Sequence, residues 1–509
     1  MELTALYANM LSTIPSFFES LLSMEMIMAL LWGIISGMLV GALPGLNSTL
    51  GVSLLLPMTY VMSPVPAMTM LMAIYTATIT GGSFTAIMIH TPGTPSNMAT
   101  LIDGYQLTQR GEGHRALSTS LVSSTIGSIV SGFALLLISP LLAKVALMFD
   151  SPEYFLIAIF GVAVIASLSD GAVAKGFAIG FFGILVSCVG VAPQDTVTRY
   201  HFGTYHLMNG FTSSAVLLGM FSMSQVLIMI QETYENRGKK REEVLELQGS
   251  MIMPKKDFLM ILPTIIRSSI IGIFTGIFPG AGANIGSYLG YSEGKRWAKD
   301  KENYGKGSIE GVAAPEAANN AVTGGAMVPL LTLGIPGSPA AAVLLGGLMI
   351  HGLIPGASLF TTQASITYPI IYGFILASVL MFPIGLVFVR VMKNVAKIPN
   401  EVLVPVITVL VTLGAYSLSR RMFDVYVVLG FAFFGFIIRK AGFPTAGFAL
   451  GQILGTMAEM GIRRAAILAR GDIVGLFLSR PGSVLILVLL VVSVAWPAVK
   501  AAIARRKAA

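Results

Sequence analysis

Apolar residues run through this chain in long unbroken stretches, at neither alternating nor amphipathic spacing. The stretches cover 24–43, 67–102, 116–142, 154–169, 176–191, 211–230, 258–280, 311–346, 365–389, 400–417, 423–438, 443–461 and 483–499, and Arg267 is the one Lys or Arg inside them. Several can cross a hydrocarbon core of about 30 Å. Such segments must be helical, because lipid offers no partner to an open strand edge. The pattern predicts an all-α polytopic membrane protein with about 11–12 transmembrane segments.

Polar positions punctuate these stretches, and they do so twice in the same way. GMLVGALPGLNSTLG (37–51) returns as GIFTGIFPGAGANIG (272–286), matching Gly37, Gly41, Pro44, Gly45 and Gly51 to Gly272, Gly276, Pro279, Gly280 and Gly286. A second echo pairs TGGSFTAIMIHTPGTP (80–95) with TGGAMVPLLTLGIPGSP (323–339), with one residue inserted. Each half thus carries two Gly/Pro breaks inside apolar sequence. Paired helix breaks at corresponding places are the best sequence-level pointer to a transport site.

Composition agrees. The chain is 55% hydrophobic and 11% charged, whereas soluble domains are roughly a quarter charged. The 55 glycines and 25 prolines suit membrane helices better than soluble ones. The single cysteine, Cys188, excludes an intrachain disulfide and reads as a small core residue. Residues 1–23 hold no Lys or Arg, so they lack the basic start of a signal peptide.

The placement of charge orients the halves. No Lys or Arg occurs before Arg110, whereas the linker 231–257 holds Arg237, Lys239, Lys240, Arg241, Lys255 and Lys256. By the positive-inside rule the linker is cytoplasmic, the 1–23 segment external, and the basic tail 501–509 cytoplasmic. Matching loops carry opposite bias. After the first break, copy one is uncharged, while copy two has Lys295, Arg296, Lys299, Lys301 and Lys306; after the second break, Arg110 and Arg115 face an uncharged 347–364. The expected organisation is therefore membrane repeat 24–230, linker 231–257 and inverted repeat 258–500. Each first motif begins and ends on one side, as either a re-entrant hairpin tipped at PGLNST or PGAGAN, or two helices joined by a tight turn. Arg463, Arg464, Arg470 and Arg480 fit this count badly, because it puts them outside.

Breaks free N–H groups at one half-helix start and C=O groups at the other half-helix end, which attract anions and cations respectively. Small polar residues cluster there: Asn47, Ser48 and Thr49; Thr80 and Ser83; Thr91, Thr94, Ser96 and Asn97; Asn284, Ser287, Asn319, Asn320, Thr323 and Ser338. Helix capping and small-residue packing are the plain alternative for any one of them. The candidate substrate set is Pro44, Gly45, Asn47, Ser48, Thr49, Thr94, Pro279, Gly280, Gly282, Asn284 and Ser338. The candidate ion-coupling set, where Na⁺ would bind, is Thr80, Gly81, Glu316, Asn319, Asn320, Thr323 and Gly324. No Lys or Arg lies in 1–109 or 307–389, so an anionic substrate would need helix ends, amides and a co-bound cation, with Arg267 a candidate to approach. Glu316 either binds an ion or proton, or caps a helix start with Pro315. Glu310 reads as a loop residue, and His90 as hydrogen-bonded within its apolar run.

GALPGLNSTLGVSLLLP, TGGSFTAIMIHTPGTP, GIFPGAGANIGSYLGYSEGKRWAKD, YGKGSIEGVAAPEAANNAVTGGAMVPLLTLGIPGSP and GFPTAGFALGQILG together resemble the large membrane subunit of the tripartite tricarboxylate transporters, over essentially the whole chain. The resemblance implies an inner-membrane permease, not an enzyme. It would act with a small four-helix membrane subunit and a periplasmic substrate-binding protein delivering a di- or tricarboxylate, driven by Na⁺ or H⁺ without a cofactor. The chain has no GxxxxGK[ST] loop for ATP, and its charged runs are too short to bind nucleic acid. A stand-alone ion-coupled carrier would show the same breaks; a channel would need a legible filter, and a protease would need more than His90 near Ser83.

Overall fold

The structure, a computed structural model, describes residues 3–43, 45–167, 173–195, 197–235, 252–278, 282–395 and 398–492. Pro44, Pro279 and Gly280, most of the linker 231–257 and the tail 501–509 lie outside the described residues.

Helices dominate. The first half comprises α1 (Leu3–Ser12), α2 (Ile14–Leu21), α3 (Met24–Gly41), α4 (Ser48–Leu55), α5 (Pro64–Ile89), α6 (Met98–Gln109), α7 (Gly113–Ala146), α8 (Ser151–Ser167) and α9 (Val173–Ser187), followed by a short hairpin and α10 (Ser213–Leu217) and α11 (Ser224–Glu235). The second comprises α12 (Lys255–Ile277), α13 (Gly282–Trp297), α14 (Ile309–Leu333), α15 (Pro339–Ile350), α16 (Ala357–Phe360), α17 (Ala364–Val395), α18 (Asn400–Ser419), α19 (Met422–Lys440), α20 (Thr445–Ala469) and α21 (Ile473–Ser479). Among the described residues, 8 helices are long and apolar enough to cross a membrane, or 9 if the pair Ile473–Ser479 and Pro481–Val492, bent by 96°, is one span. The expected 11–12 is reduced because the breaks cut apolar sequence into short helices such as Ser48–Val61 and Pro339–Ile350. The 25-residue α14 and α20 are long enough but more polar.

Small residues set how the helices meet. Gly33, Gly37 and Gly41 of α3 lie against the carbonyls of Met70, Ile74 and Thr78 on α5, so the two helices run parallel and touch backbone to backbone. A side chain at Gly41 would enter the Thr78 carbonyl. Between them the chain returns through α4 and a 3₁₀ turn (Leu56–Val61) to its starting level, where the Glu25 carboxylate accepts from the Ser63 amide at 2.6 Å and hydroxyl at 2.9 Å. The second half repeats the arrangement: Gly272 and Gly276 of α12 abut the Ala318 and Val322 carbonyls of α14.

These contacts revise the expected alignment of the second echo. Gly81 abuts Met38 as Gly325 abuts Ile273, and Gly93 abuts the Gly41 carbonyl as Gly337 abuts that of Gly276. Residues 80–95 therefore correspond to 324–339 with no insertion. The two Thr-Gly-Gly strings, which invited a gap, are one residue out of register.

Hydroxyl pairs fix the remaining directions. Ser83–Ser120 (2.5 Å) and Thr76–Ser128 (2.7 Å) make α7 antiparallel to α5. Ser124 to Glu316 and Gly127 against Ala317 make α7 parallel to α14. Hence α5 and α14, corresponding helices of the two halves, run in opposite directions and meet at the centre. On the other flank Gly373 and Met381 of α17 meet Thr69 and Thr80, so α17 runs with α5.

The outlying α8, α9 and α20 explain part of the anomalous basic cluster. Arg463 pairs with Glu459 and Asp195, and Arg480 with Glu153 at 2.7 Å. A count of positive charge treats these arginines as free, yet Arg463 is paired within α20 and to the 195 loop, and Arg480 to α8. Cys188, expected in the core, is only half-buried beyond the end of α9.

Candidate functional site

The breaks spend much of their side-chain polarity on themselves. Asn47 caps α4, its Oδ1 accepting from the Leu50 amide at 3.0 Å. Ser338 caps α15 through the Ala341 amide at 3.1 Å and also meets the Tyr75 hydroxyl at 2.8 Å. Thr94 donates to Asn97 Oδ1 at 2.5 Å and pairs with Ser96. Such caps satisfy amides that a helix start leaves open. Gly45 (φ +86°) and Gly282 (φ +63°) adopt the left-handed backbone that lets the chain turn. Gly45 and Asn284 are exposed, and Ser48 and Thr49 are half-buried in the first turn of α4.

The centre of the molecule is polar. Glu316 lies inside α14, whose N-cap is Ser308, so it is no helix cap; Glu310, expected in a loop, is in the first turn. Fully buried, Glu316 accepts from Asn97 Nδ2 at 3.0 Å and from Thr100 on Oε1, and from Ser124 at 2.8 Å on Oε2. Without such donors a buried carboxylate would be prohibitive. One turn on, Asn320 Oδ1 accepts from Thr80 (3.0 Å), Thr76 (3.3 Å) and Ser128 (3.4 Å). Thr323 donates to the Asn320 carbonyl at 2.6 Å. Asn319 is equally buried, but neither of its amide atoms has a hydrogen-bond partner among the described residues. Thr80, Glu316, Asn319, Asn320 and Thr323 thus belong to one centre, to which α6 and α7 contribute. Gly81 and Gly324 serve close packing against Met38 and Ser131 instead. His90, expected to be hydrogen-bonded, ends α5 in the left-handed region, exposed, its ring tilted against Tyr105 with centroids 4.4 Å apart.

Among the described residues no hydrogen bond ties Asn47, Ser48, Thr49 or Asn284 to this centre. The first tip has other company. The Gly45 carbonyl accepts from Gln225 Nε2 at 3.1 Å, and Gln225 Oε1 accepts from Arg439 Nη1 at 2.6 Å. Gln225 follows a π-helical segment (Leu218–Met223) in which Ser222 meets Ser53 of α4 at 2.6 Å, and such segments favour functional sites. Sequence reasoning missed Arg439 because it stands one residue past an apolar stretch and resembles an ordinary flanking charge. Arg267, the expected candidate, lies over Trp297 at 5.5 Å.

Asp103 was also missed. Buried on α6, its Oδ1 accepts from the amides of Gly305 (2.9 Å), Gly307 (2.8 Å) and Ser308 (2.8 Å), and its Oδ2 from Tyr291 at 2.9 Å. It fastens the loop before α14 to the first half. The glycine-rich YGKGS run, with two left-handed glycines at 305 and 307, was its only trace in the sequence.

Residues 27–450, which contain both breaks of both halves, match the model of the tripartite tricarboxylate transporter TctA family. A protein of Agrobacterium vitis described as an uncharacterized 52.8 kDa protein in the TAR-I ttuC' 3' region is 34% identical over 464 residues, 91% of each chain. A second from that organism, described as an uncharacterized protein in the TAR-II ttuC' 3' region, is 35% identical over 201 residues, 40% of this chain and 83% of its own. No solved structure matches the chain.

Proposed function

Because this chain belongs to the tripartite tricarboxylate transporter TctA family and is a multi-pass membrane component of such a system, we propose that it is the permease, an ion-driven importer of a di- or tricarboxylate by alternating access. A periplasmic binding protein docks on the outer face and delivers the carboxylate, and a small four-helix membrane subunit completes the assembly in the bacterial inner membrane. The observation that carries this reading is the buried centre at Glu316 and Asn320, where two corresponding helices meet head to tail. A membrane protein has little reason to bury a carboxylate amid hydroxyls and amides unless a polar species passes it.

The antiparallel α5 and α14 support a pair of inverted repeats, 24–230 and 258–500. The Arg115–Asp257 pair at 2.6 Å joins the starts of α7 and α12, which supports placing Arg110, Arg115 and the linker together on the cytoplasmic side with residues 1–23 opposite. The substrate carboxylates meet the tips around Gly45 to Thr49 and Gly282 to Asn284, and Na⁺ or H⁺ binds at Thr80, Glu316, Asn319, Asn320 and Thr323.

Reconstitution of the chain with its partner subunits in proteoliposomes tests this. Uptake of labelled citrate or another carboxylate should need the binding protein and an inward Na⁺ or H⁺ gradient. Uptake without the binding protein would make the chain a stand-alone carrier, and conductance without saturation would make it a channel.

A further inference from the structure

The two halves differ at one matching place. In the second half Ser287 and Asn319 are both 0% exposed, and Ser287 Oγ, Asn319 Oδ1 and Asn319 Nδ2 have no hydrogen-bond partner among the described residues. Native interiors seldom leave such atoms unpaired without a bound species. The two residues face one wedge. Gly286 and Gly290 of α13 abut Val322 and Ala318 of α14, and Tyr291, one turn beyond Ser287, reaches Asp103 on α6. Glu316, one turn before Asn319, is held by Asn97 and Thr100 where α6 begins. Side chains a turn apart share a helix face, so Ser287 and Asn319 both line the space between α13, α14 and the 94–100 segment.

In the first half the same wedge is closed. By the registers above, Val52 corresponds to Ser287, Tyr75 to Asn319, Leu56 to Tyr291 and Gly347 to Asp103. Leu56 approaches Gly347 as Tyr291 approaches Asp103. Val52, Leu56 and Tyr75 are buried, and the Tyr75 ring spans the space to put its hydroxyl on Ser338.

We infer that the wedge of the second half is a chamber for one dehydrated monovalent cation, of the Na⁺ class, and that the first half has no counterpart. An amide oxygen and a hydroxyl are hard, neutral donors that ligate a cation but do not take up a proton at physiological pH. Glu316 and Asp103 flank the chamber, and segments 94–103, 286–291 and 316–323 contain no Lys or Arg, so its potential favours a cation. Glu316 and Asp103 accept three and four hydrogen bonds from protein donors, so the unpartnered ligands are the neutral oxygens of Ser287 and Asn319, which suit a monovalent ion better than a divalent one. This deepens the ion-coupling part of the proposed function, on which its role in transport rests.

The test is equilibrium binding of ²²Na⁺ to the purified full chain in lipid nanodiscs, with thermal melting in NaCl, KCl and choline chloride. One saturable Na⁺ per chain is expected, with melting raised by NaCl. Ser287→Ala should weaken binding by about tenfold, near 1.4 kcal/mol; Asn319→Ala should abolish it, and Val52→Ala should leave it unchanged. Absence of saturable binding, a second equivalent site, or unchanged binding in Ser287→Ala would overturn the proposal in favour of buried water only. Should Asn319→Ala fail to fold, Ser287→Ala still decides. Na⁺ binding with these dependences but no carboxylate uptake would leave the chamber standing and overturn the transport reading instead.

Discussion

Thr76 and Asn320 occupy corresponding positions in the two halves and hydrogen-bond to each other, Thr76 Oγ1 donating to Asn320 Oδ1 at 3.3 Å. α5 and α14 therefore touch at this pair, with Thr80 and Ser128 donating to the same amide oxygen. Replacing Asn320 with Ala leaves Thr76, Thr80 and Ser128 without this acceptor. The loss should be about 1–3 kcal/mol of stability, seen as a lower melting temperature of the purified chain. An unchanged melting temperature would mean that water replaces the amide.

Glu316 makes a sharper case. Glu316→Gln keeps the shape but turns one acceptor oxygen into a donor facing Asn97, Thr100 or Ser124. Uptake should fall by at least tenfold, a transition-state loss of about 1.4 kcal/mol, while the chain still inserts. Wild-type uptake in this variant would remove Glu316 from the mechanism.

Two glycines should fail in different ways. Around Gly45 there is open space, the Glu232 carboxylate lying 3.9 Å from where a Cβ would be, and the obstacle is φ +86°. Gly45→Val should cost about 1–2 kcal/mol, leave insertion intact and abolish uptake. At Gly41 a Cβ would enter the Thr78 carbonyl, so Gly41→Val should not accumulate as folded protein. Comparing membrane expression with transport for the two variants separates tip from packing.

Arg439 reaches the first tip through Gln225. Arg439→Gln should raise the KM for a carboxylate by about tenfold and leave the melting temperature nearly unchanged, because the guanidinium reaches the tip through Gln225 and makes no ion pair among the described residues. Equal losses of KM and stability would make it a structural residue.

The sequence shows helices, breaks and doubling plainly because each rests on a local signal: unbroken apolar runs, Gly-Pro pairs, repeated strings. Glu316, Asn319 and Asn320 were visible as polar residues in apolar surroundings, although whether Glu316 capped a helix or sat inside one depends on Ser308 taking the cap. Hidden were the pairings over long separations. Asp103 meets amides some two hundred positions later, and Arg439 meets Gln225, 214 positions earlier, which in turn holds the Gly45 tip. The register of the second echo was also misleading, because Thr-Gly-Gly matches by eye where packing on Met38 and Ile273 demands a shift.

The interlacing of the halves ties them into one body. With α7 lying along α14 and α17 along α5, pulling one half off the other would strip Ser124 from Glu316 and Gly373 from Thr69 together. The central helices are thereby bound into one block, whose rim faces α10, α11 and α19. There Ser53 meets Ser222 and Gln225 holds the Gly45 carbonyl, beside a buried apolar contact of Leu50 and Val52 with Leu217, Met220 and Phe221.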